Sequence, residues 1–577
     1  MSHRTIAPMA LSLLLAACAT VSPVVEAPTD PTAPAAAAAP QTGMVSTADL
    51  RASEAGMAIL EQGGSATDAA IAVMLALTVV EPQSSGIGGG GFFVHGTLTG
   101  EVTTLDGRET APAGAGPDWF LDGNGEPIGF MDAVMSGLSV GVPGNLALAW
   151  QAHERYGKLE WAALFAPAIA LARDGFVVSE RFGDYLERAK NRAARTPAGQ
   201  ALFYNAAGEP LPVGTLVKNP ELADTLERLA AEGPDWLYQG PAGAELAEHV
   251  AADTPREGAM VAGDLREYEA KWRNPVCGQY RVYRICGMGP PSSGATTVFA
   301  ILKQLEQFDL AALGAESPTA WHLFAESQRL AYADREVYLG DSDFVDVPVA
   351  GLVNSSYLTE RGRLISPDAT IAEPQAGTPP GADLALADGP EWPESGTSHF
   401  AVVDDEGDAV SWTSTVEGPF GSGLVFGGFY LNNELTDFTM VPEVDGVPVA
   451  NRVEGSKRPR SSMSPTLVYG PEGNLRIAIG AAGGATIPVQ TAKALIGVLD
   501  WGLTAQEAIA LPGLFSPGNT IVLEPDSSLL AMQDDLEALG HTVIVRGMPF
   551  KANAVEFVDG RWLGAADPRS EGAALGN

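Results

Sequence analysis

The side chains of this sequence that invite a chemical reading begin with a threonine pair. Thr397-Ser398-His399-Phe400-Ala401-Val402-Val403 is followed by Asp404 to Asp408 and then by Ala409-Val410-Ser411-Trp412-Thr413-Ser414-Thr415-Val416. A three-residue hairpin loop wants glycine last, in the left-handed conformation, and Asp405-Glu406-Gly407 supplies it. Centring the hairpin on Glu406 pairs Val403 with Ala409, Ala401 with Ser411, and Thr397 with Thr415. Facing threonines are common in sheets through β-propensity, so the pair alone carries no function. His399 stands two residues past Thr397 on the same strand face. No G-x-S-x-G elbow for a triad serine occurs, and neither H-E-x-x-H nor paired-cysteine metal spacing exists, so no metal and no other cofactor is expected. Gly86-Ile87-Gly88-Gly89-Gly90-Gly91 formally satisfies G-x-G-x-x-G. It follows a helical run and precedes the strand-like Phe92-Phe93-Val94, which reverses the strand-loop-helix order that a dinucleotide phosphate needs.

The elements that must position these residues fall into two regimes. Ser46 to Glu61 has helical spacing, and Ala69 to Val80 is an apolar run too short to span a bilayer, so it predicts a buried helix. Helical stretches dominate from Gly144 to Ala252 and from Thr319 to Leu339, with strands near Thr103 to Leu105 and around the cysteines. After Pro379 short strands and turns alternate: Thr397 to Val403, Ala409 to Val416, Leu424 to Tyr430, Thr466 to Tyr469 and Leu475 to Ile479. Strands and helices that segregate this way predict layered α+β packing.

With 577 residues and 46% hydrophobic content, the chain can bury a large core. Its 71 acidic against 34 basic residues give a formal charge of −37, which repels phosphate backbones and anionic lipid surfaces, so nucleic acid is excluded as a partner. Residues 1–17 read as a short export signal, and Leu15-Ala16-Ala17-Cys18 resembles a bacterial lipobox, in which the cysteine becomes a diacylated N-terminus. Residues 18–43, nearly all Ala, Pro, Thr and Asp from Val24 to Pro40, read as a semi-stiff tether. These features predict a periplasmic protein held at the outer membrane only through its lipid. The two remaining cysteines, Cys277 and Cys286, flank a two-residue turn at Arg281-Val282 that sets them directly opposite on two short strands, which invites a disulfide in an exported protein.

From Met44 onward the chain resembles the gamma-glutamyltransferase family, motif after motif and in order. Early pieces are Gly63-Gly64-Ser65-Ala66-Thr67-Asp68-Ala69-Ala70, the Gly88 to Gly91 run and Leu105-Asp106-Gly107-Arg108-Glu109-Thr110-Ala111-Pro112. The middle carries Gly141-Val142-Pro143-Gly144, Pro290-Pro291-Ser292-Ser293-Gly294 and Ala331-Tyr332-Ala333-Asp334-Arg335. Later come Thr397-Ser398-His399-Phe400, Asn432 to Phe438, Lys457 to Pro465, Gly483-Gly484 and Asp567-Pro568-Arg569.

The resemblance implies an N-terminal nucleophile hydrolase with a four-layer αββα sandwich, made as one precursor. Cleavage between Gly396 and Thr397 would leave a large subunit, 44–396, associated with a small catalytic subunit, 397–577. A freed Thr397 needs no neighbouring base, because its own α-amino group, with a reference pKa of about 7.7, takes the hydroxyl proton. Thr415 falls where the family places a second threonine bonded to the nucleophile, and Gly483 and Gly484 where backbone N–H groups meet the oxyanion. A gamma-glutamyl head is a zwitterion. Arg108, Ser461 and Ser462 match the family pattern on its α-carboxylate side, and Asp437 with Glu434 matches the α-ammonium side. Glu417 stands where the family usually has asparagine. The Thr439 to Lys457 segment is shorter than the lid-bearing loop of some members and has no aromatic residue, which argues against a covered pocket and for longer acyl or peptide substrates. The implied donors are glutathione and other gamma-glutamyl compounds, and the implied acceptors are amino acids, dipeptides or water. An acylase of the same scaffold that hydrolyses glutaryl or cephalosporin-type amides is the second reading, and an inactive peptide-binding lipoprotein the third.

Overall fold

The computed structural model describes residues 43–382, 386–388 and 396–576. Cys18, the export signal and the tether up to residue 42 lie outside the described residues. Gly43, counted with the tether from sequence, opens the first strand instead, with φ +131 and no space for a Cβ, which would stand 2.4 Å from the Val403 carbonyl oxygen.

The strands of the two main sheets are, in chain order, β1 (Gly43–Thr47), β2 (Gly90–Gly96), β3 (Val102–Gly107), β4 (Lys271–Arg273), β5 (Val276–Tyr280), β6 (Tyr283–Gly287), β7 (Ser398–Asp404), β8 (Ala409–Thr415), β9 (Thr466–Tyr469), β10 (Leu475–Ala482), β11 (Lys551–Val558), β12 (Arg561–Ala566) and β13 (Ala573–Gly576). One sheet has the order β13-β1-β7-β8-β2-β3-β4 and the other β12-β11-β10-β9-β6-β5. All of their pairings are antiparallel.

Alternation along β7 sends its side chains to two cores. Phe400 and Val402 join Phe93 and Trp412 in packing against the helix Ala66–Val80, while Ala401 and Val403 meet Leu467 and Ile477 between the sheets. Ser411 closes the gap between the sheets, its Oγ donating to the Ile479 carbonyl at 3.1 Å. On the far face of the second sheet, the helices Gly294–Leu305 and Ile487–Leu499 bury their apolar faces in the same core. The layers therefore run helix, sheet, sheet, helix, as the resemblance implied.

The buried helix starts at Ala66, earlier than its apolar run, because Ser65 and Asp68 form a reciprocal cap, Ser65 Oγ accepting the Asp68 N–H at 3.1 Å and Asp68 Oδ2 the Ser65 N–H at 3.0 Å. Two elements depart from the sequence reading. Ser46 to Glu61 is not one helix: Asp49 accepts the Arg51 N–H and starts the helix at Leu50, while Met44 and Val45 pair with Val403 and Val402. Leu424 to Tyr430 is not one strand, since Gly427 and Gly428, at φ +54 and +81, fold it into the hairpin Val425–Phe426 against Phe429–Tyr430.

Cys277 and Cys286 are register partners and form a disulfide, with Cα atoms 4.1 Å apart. Of the turn residues Arg281 and Val282 only the first has positive φ, at +53. Its side chain supports that conformation, since Nε binds Asp500 at 3.0 Å and Nη1 and Nη2 donate to the Glu306 and Phe308 carbonyls at 2.6 and 3.0 Å.

Candidate functional site

Val403 pairs with Ala409, Ala401 with Ser411 and Ser398 with Ser414, the register centred on Glu406. One step further along, Thr397 Oγ1 donates to Thr415 Oγ1 at 3.3 Å. Thr415 Oγ1 in turn donates to the Gly396 carbonyl at 3.0 Å and accepts the Glu417 N–H at 2.8 Å. Thr397 Oγ1 also touches the Gly396 carbonyl oxygen. A buried hydroxyl thus lies against the carbonyl that precedes it, and a second hydroxyl polarises that carbonyl.

The strand behind the threonine is fixed by charges that sequence reasoning missed. Ser398 Oγ donates to Glu81 Oε2 at 2.5 Å, and Lys551 Nζ reaches Glu81 Oε2 at 3.0 Å and Ser398 Oγ at 3.3 Å. Burial lowers the Lys551 ammonium to about 8, with Glu81 opposing the shift. These residues lie 470 positions apart, and no local spacing links them. His399 does not serve as a base here. Its Nδ1 binds Thr413 Oγ1 at 2.9 Å, its ring fills the space left by Gly480, and burial lowers it to about 3, so it is neutral.

Gly483 and Gly484 follow β10, which runs on to Ala482. Ala482 is the register partner of Lys551, whose side chain reaches Ser398, so this turn stands at the same end of the sandwich as Thr397. Gly483 has φ +123, and a Cβ there would stand 2.3 Å from the Pro549 carbonyl oxygen. Such a turn exposes backbone N–H groups that no side chain shields.

Arg108 follows β3 and is 1% exposed. Its Nη1 contacts Glu434 and its Nη2 contacts Asp437, while Nε and Nη2 donate to the Pro459 and Arg460 carbonyls at 3.2 and 2.9 Å. The two sides of the expected zwitterion cradle are therefore paired with each other. Ser461 Oγ accepts the Met463 N–H at 3.2 Å, and Ser462 Oγ accepts Arg335 Nη2 at 2.8 Å. Glu417, at φ +72, places its carboxylate against Asn433 Nδ2.

Glu109, a neighbour sequence reasoning left without a role although it lies in the Arg108 motif, adds a further carboxylate. Neither of its oxygens has a hydrogen-bond donor, and the same holds for Glu434 Oε2. Burial and the Asp437 charge push Glu417 up to about 8 against Arg192 and, more weakly, Arg108; burial pushes Glu109 up to about 7 against Arg108, and pushes Glu434 well above the carboxylate range. Four buried acids, with the Arg108 guanidinium among them and Arg192 near Glu417, leave carboxyls in excess of positive charge, a site suited to receiving a cation.

Among the described residues, His322, Glu326 and His541 could hold a metal ion, with ligand atoms within 4.8 Å of one another. Protein partners already occupy those atoms. His322 Nδ1 lies 2.7 Å from His541 Nε2, and Glu326 Oε1 accepts Arg329 Nη1 at 2.6 Å and Thr370 Oγ1 at 2.7 Å.

Residues 52–577 match the Gamma-glutamyltranspeptidase family. The chain is 36% identical over 552 residues to a glutathione hydrolase proenzyme of Bacillus subtilis (strain 168), covering 92% of this chain and 91% of the relative. It is 36% identical over 550 residues to the glutathione hydrolase proenzyme of Escherichia coli (strain K12), covering 92% and 90%. Among solved structures, the cephalosporin acylase from Bacillus halodurans superposes with a TM-score of 0.80 at 26% identity, covering 93% of this chain and 96% of that one.

Proposed function

Because the chain belongs to the gamma-glutamyltranspeptidase family, we propose that it is a self-processing threonine-nucleophile enzyme that transfers or hydrolyses gamma-glutamyl groups. Glutathione and other gamma-glutamyl amides are the donors, and amino acids, dipeptides or water the acceptors. The observation that carries this reading is Thr397 Oγ1 against the Gly396 carbonyl, with Thr415 donating to that carbonyl oxygen.

Self-processing begins when Thr397 Oγ1 bonds to the Gly396 carbonyl carbon and the Gly396–Thr397 C–N bond breaks, leaving an ester. That step frees the Thr397 α-amine, which takes up the hydroxyl proton, and water then cleaves the ester to release the Gly396 carboxylate and restore the Thr397 hydroxyl. In turnover this amine, with a reference pKa of about 7.7, takes the hydroxyl proton as Oγ1 attacks the donor amide, and passes it to the departing amine. Backbone N–H groups at Gly483 and Gly484 receive the oxyanion, a contact worth about 3 kcal/mol per donor. The acyl-threonine then yields to water or an acceptor amine. Glu417, Glu434 and Asp437 face the donor's α-ammonium, and Arg108 with Ser461 and Ser462 forms the opposite side of the head pocket.

The intact mass of purified protein tests the first half: two fragments, the smaller running from Thr397 to Asn577, are expected, and a fully active uncut chain would sink the reading. Comparing gamma-glutamyl with glutaryl anilides, which differ by one ammonium, tests the second half. Faster turnover of the glutaryl compound would favour the acylase reading, which is supported by the overlap with the cephalosporin acylase over nearly the whole chain. We further propose that acylated Cys18 holds the mature protein at the outer membrane, since a lipobox-like tetrad precedes the Ala/Pro spacer and several acyl chains bind a bilayer firmly. Cys18→Ser protein that still fractionates with membranes would refute this.

A further inference from the structure

The Cys277–Cys286 disulfide takes no part in the proposed reaction, and its two sulfurs stand in unequal surroundings. Cys277 is exposed on β5, the outer strand of its sheet, whereas Cys286 on β6 is fully buried. Leu467 on β9 is the register partner of Cys286 and lies in the core between the sheets, so the buried cysteine is covered on the side away from Cys277. Cys277 is therefore the half of the bond that a solute can reach.

Cys277 also lines a cavity of about 550 Å³, within the range that holds small ligands, whose wall includes Gln279, Arg284, Tyr469 and the turns at Gly100 and Gly473. Arg284 lies two residues along β6 from Cys286, which makes it a diagonal neighbour of Cys277 on the same face of the sheet, roughly 7–8 Å away between backbones. Its guanidinium stacks on the Tyr469 ring at 4.5 Å and donates through Nη2 to the Gly100 carbonyl, and no carboxylate pairs with it among the described residues. In a chain of formal charge −37, an accessible disulfide thus shares a cavity with a cation that has no counter-ion. A planar guanidinium of this kind suits a carboxylate.

We propose that this cavity is a thiolation site: a small cysteine-containing peptide enters it, its carboxylate meets Arg284, and its thiolate attacks Cys277 Sγ. The new S–S bond joins Cys277 to the peptide and the Cys277–Cys286 bond breaks. Cys286 keeps the electron pair and takes up the proton that the incoming thiol gave up, so no outside oxidant or reductant is needed. Burial makes the Cys286 thiol a weak nucleophile, slow to attack back and expel the peptide. The inference goes beyond the gamma-glutamyl reading and meets it at one point, since hydrolysis of glutathione at its gamma-glutamyl bond leaves cysteinylglycine, a thiol with a free carboxylate.

The test holds the purified protein in a mixture of reduced and oxidised cysteinylglycine, or of its C-terminal amide, which lacks only the carboxylate. Free thiols are then capped with iodoacetamide and the peptides mapped by mass. The expected product has Cys277 joined to the dipeptide and Cys286 capped, and it forms about 2- to 5-fold faster with the acid than with the amide, the scale of an exposed ion pair. Arg284→Gln should erase that preference, as should salt at about 1 M. Cys286→Ser, which leaves Cys277 as a free thiol, should take the dipeptide from its oxidised form, and Cys277→Ser should not; self-cleavage and cooperative melting establish that each variant is folded. A disulfide that stays closed, an adduct on Cys286, or an acid-to-amide ratio unchanged in Arg284→Gln would overturn the site. Because the dipeptide is supplied ready-made, none of these outcomes depends on gamma-glutamyl turnover, which the anilides measure separately.

Discussion

Thr397 and Thr415 face each other across the β7–β8 hairpin with hydroxyl oxygens 3.3 Å apart, and the Thr415 hydroxyl also reaches the Gly396 carbonyl at 3.0 Å. One side chain therefore touches both the proposed nucleophile and the bond it would cut. Thr397→Ala should leave the precursor whole. Thr415→Val, which keeps the shape and removes the hydroxyl, should slow self-cleavage roughly 100-fold, the scale of a lost oxyanion donor. Time-resolved intact mass during refolding measures this, and wild-type cleavage rates in Thr415→Val would refute the role.

Lys551 and Glu81 form a buried ion pair, one residue on each side of the proposed Gly396–Thr397 cleavage in the chain. Removing one partner of such a pair leaves a bare charge and costs about 3–5 kcal/mol, whereas replacing both with apolar groups is often neutral. Lys551→Met alone should lower the melting temperature clearly, and Lys551→Met with Glu81→Leu should recover most of the loss. Because Glu81 also accepts from Ser398, the residue after Thr397, the single variant should cleave itself more slowly as well. A double variant no more stable than the single one would show that the pair is not coupled.

The parts of this site legible in the sequence were those set by local geometry. Gly407 fixed the loop length, and loop length alone set the register that brings Thr397 to Thr415. The Arg281-Val282 turn placed Cys277 opposite Cys286 in the same way. Illegible were the relationships that only packing creates: Glu81 with Lys551, and Arg108 spent on the acids it was expected to face across a substrate. The misread elements failed for local reasons of their own. Asp49 caps a helix that the apolar spacing alone extends back to Ser46, and two adjacent glycines interrupt an otherwise strand-like Leu424 to Tyr430.

Glu417 makes stability depend on pH in a defined direction. Burial raises it from 4.5 to about 8, so within that window the native chain holds a proton that the unfolded chain has released. The native state then binds more protons, and unfolding free energy falls as pH rises from 4.5 to 8; the contribution is intact below that window and lost above it. Glu109, raised to about 7, acts in the same direction. Glu417→Gln should flatten the slope, so that its stability relative to the unaltered protein improves between pH 5 and pH 8. Urea midpoints at the two pH values measure this, and parallel curves would show that Glu417 is ionised in the native state.

Arg108 donates to Glu434, Asp437 and two carbonyls at once, and that division needs a planar fork. A lysine at this position keeps the charge but cannot reach all four acceptors, so the acids lose their fixed spacing. Arg108→Lys should therefore chiefly weaken gamma-glutamyl turnover, by about 10- to 150-fold for one charged hydrogen bond left unmade. Self-cleavage should be spared, because neither Gly396 nor Thr397 contacts Arg108 through a hydrogen bond. A glutaryl anilide, which carries no ammonium for these acids to receive, should lose less, so the ratio of gamma-glutamyl to glutaryl turnover should fall. If Arg108→Lys and the unaltered protein process both anilides at the same relative rates, the acids that Arg108 holds do not read an ammonium, and the acylase reading gains.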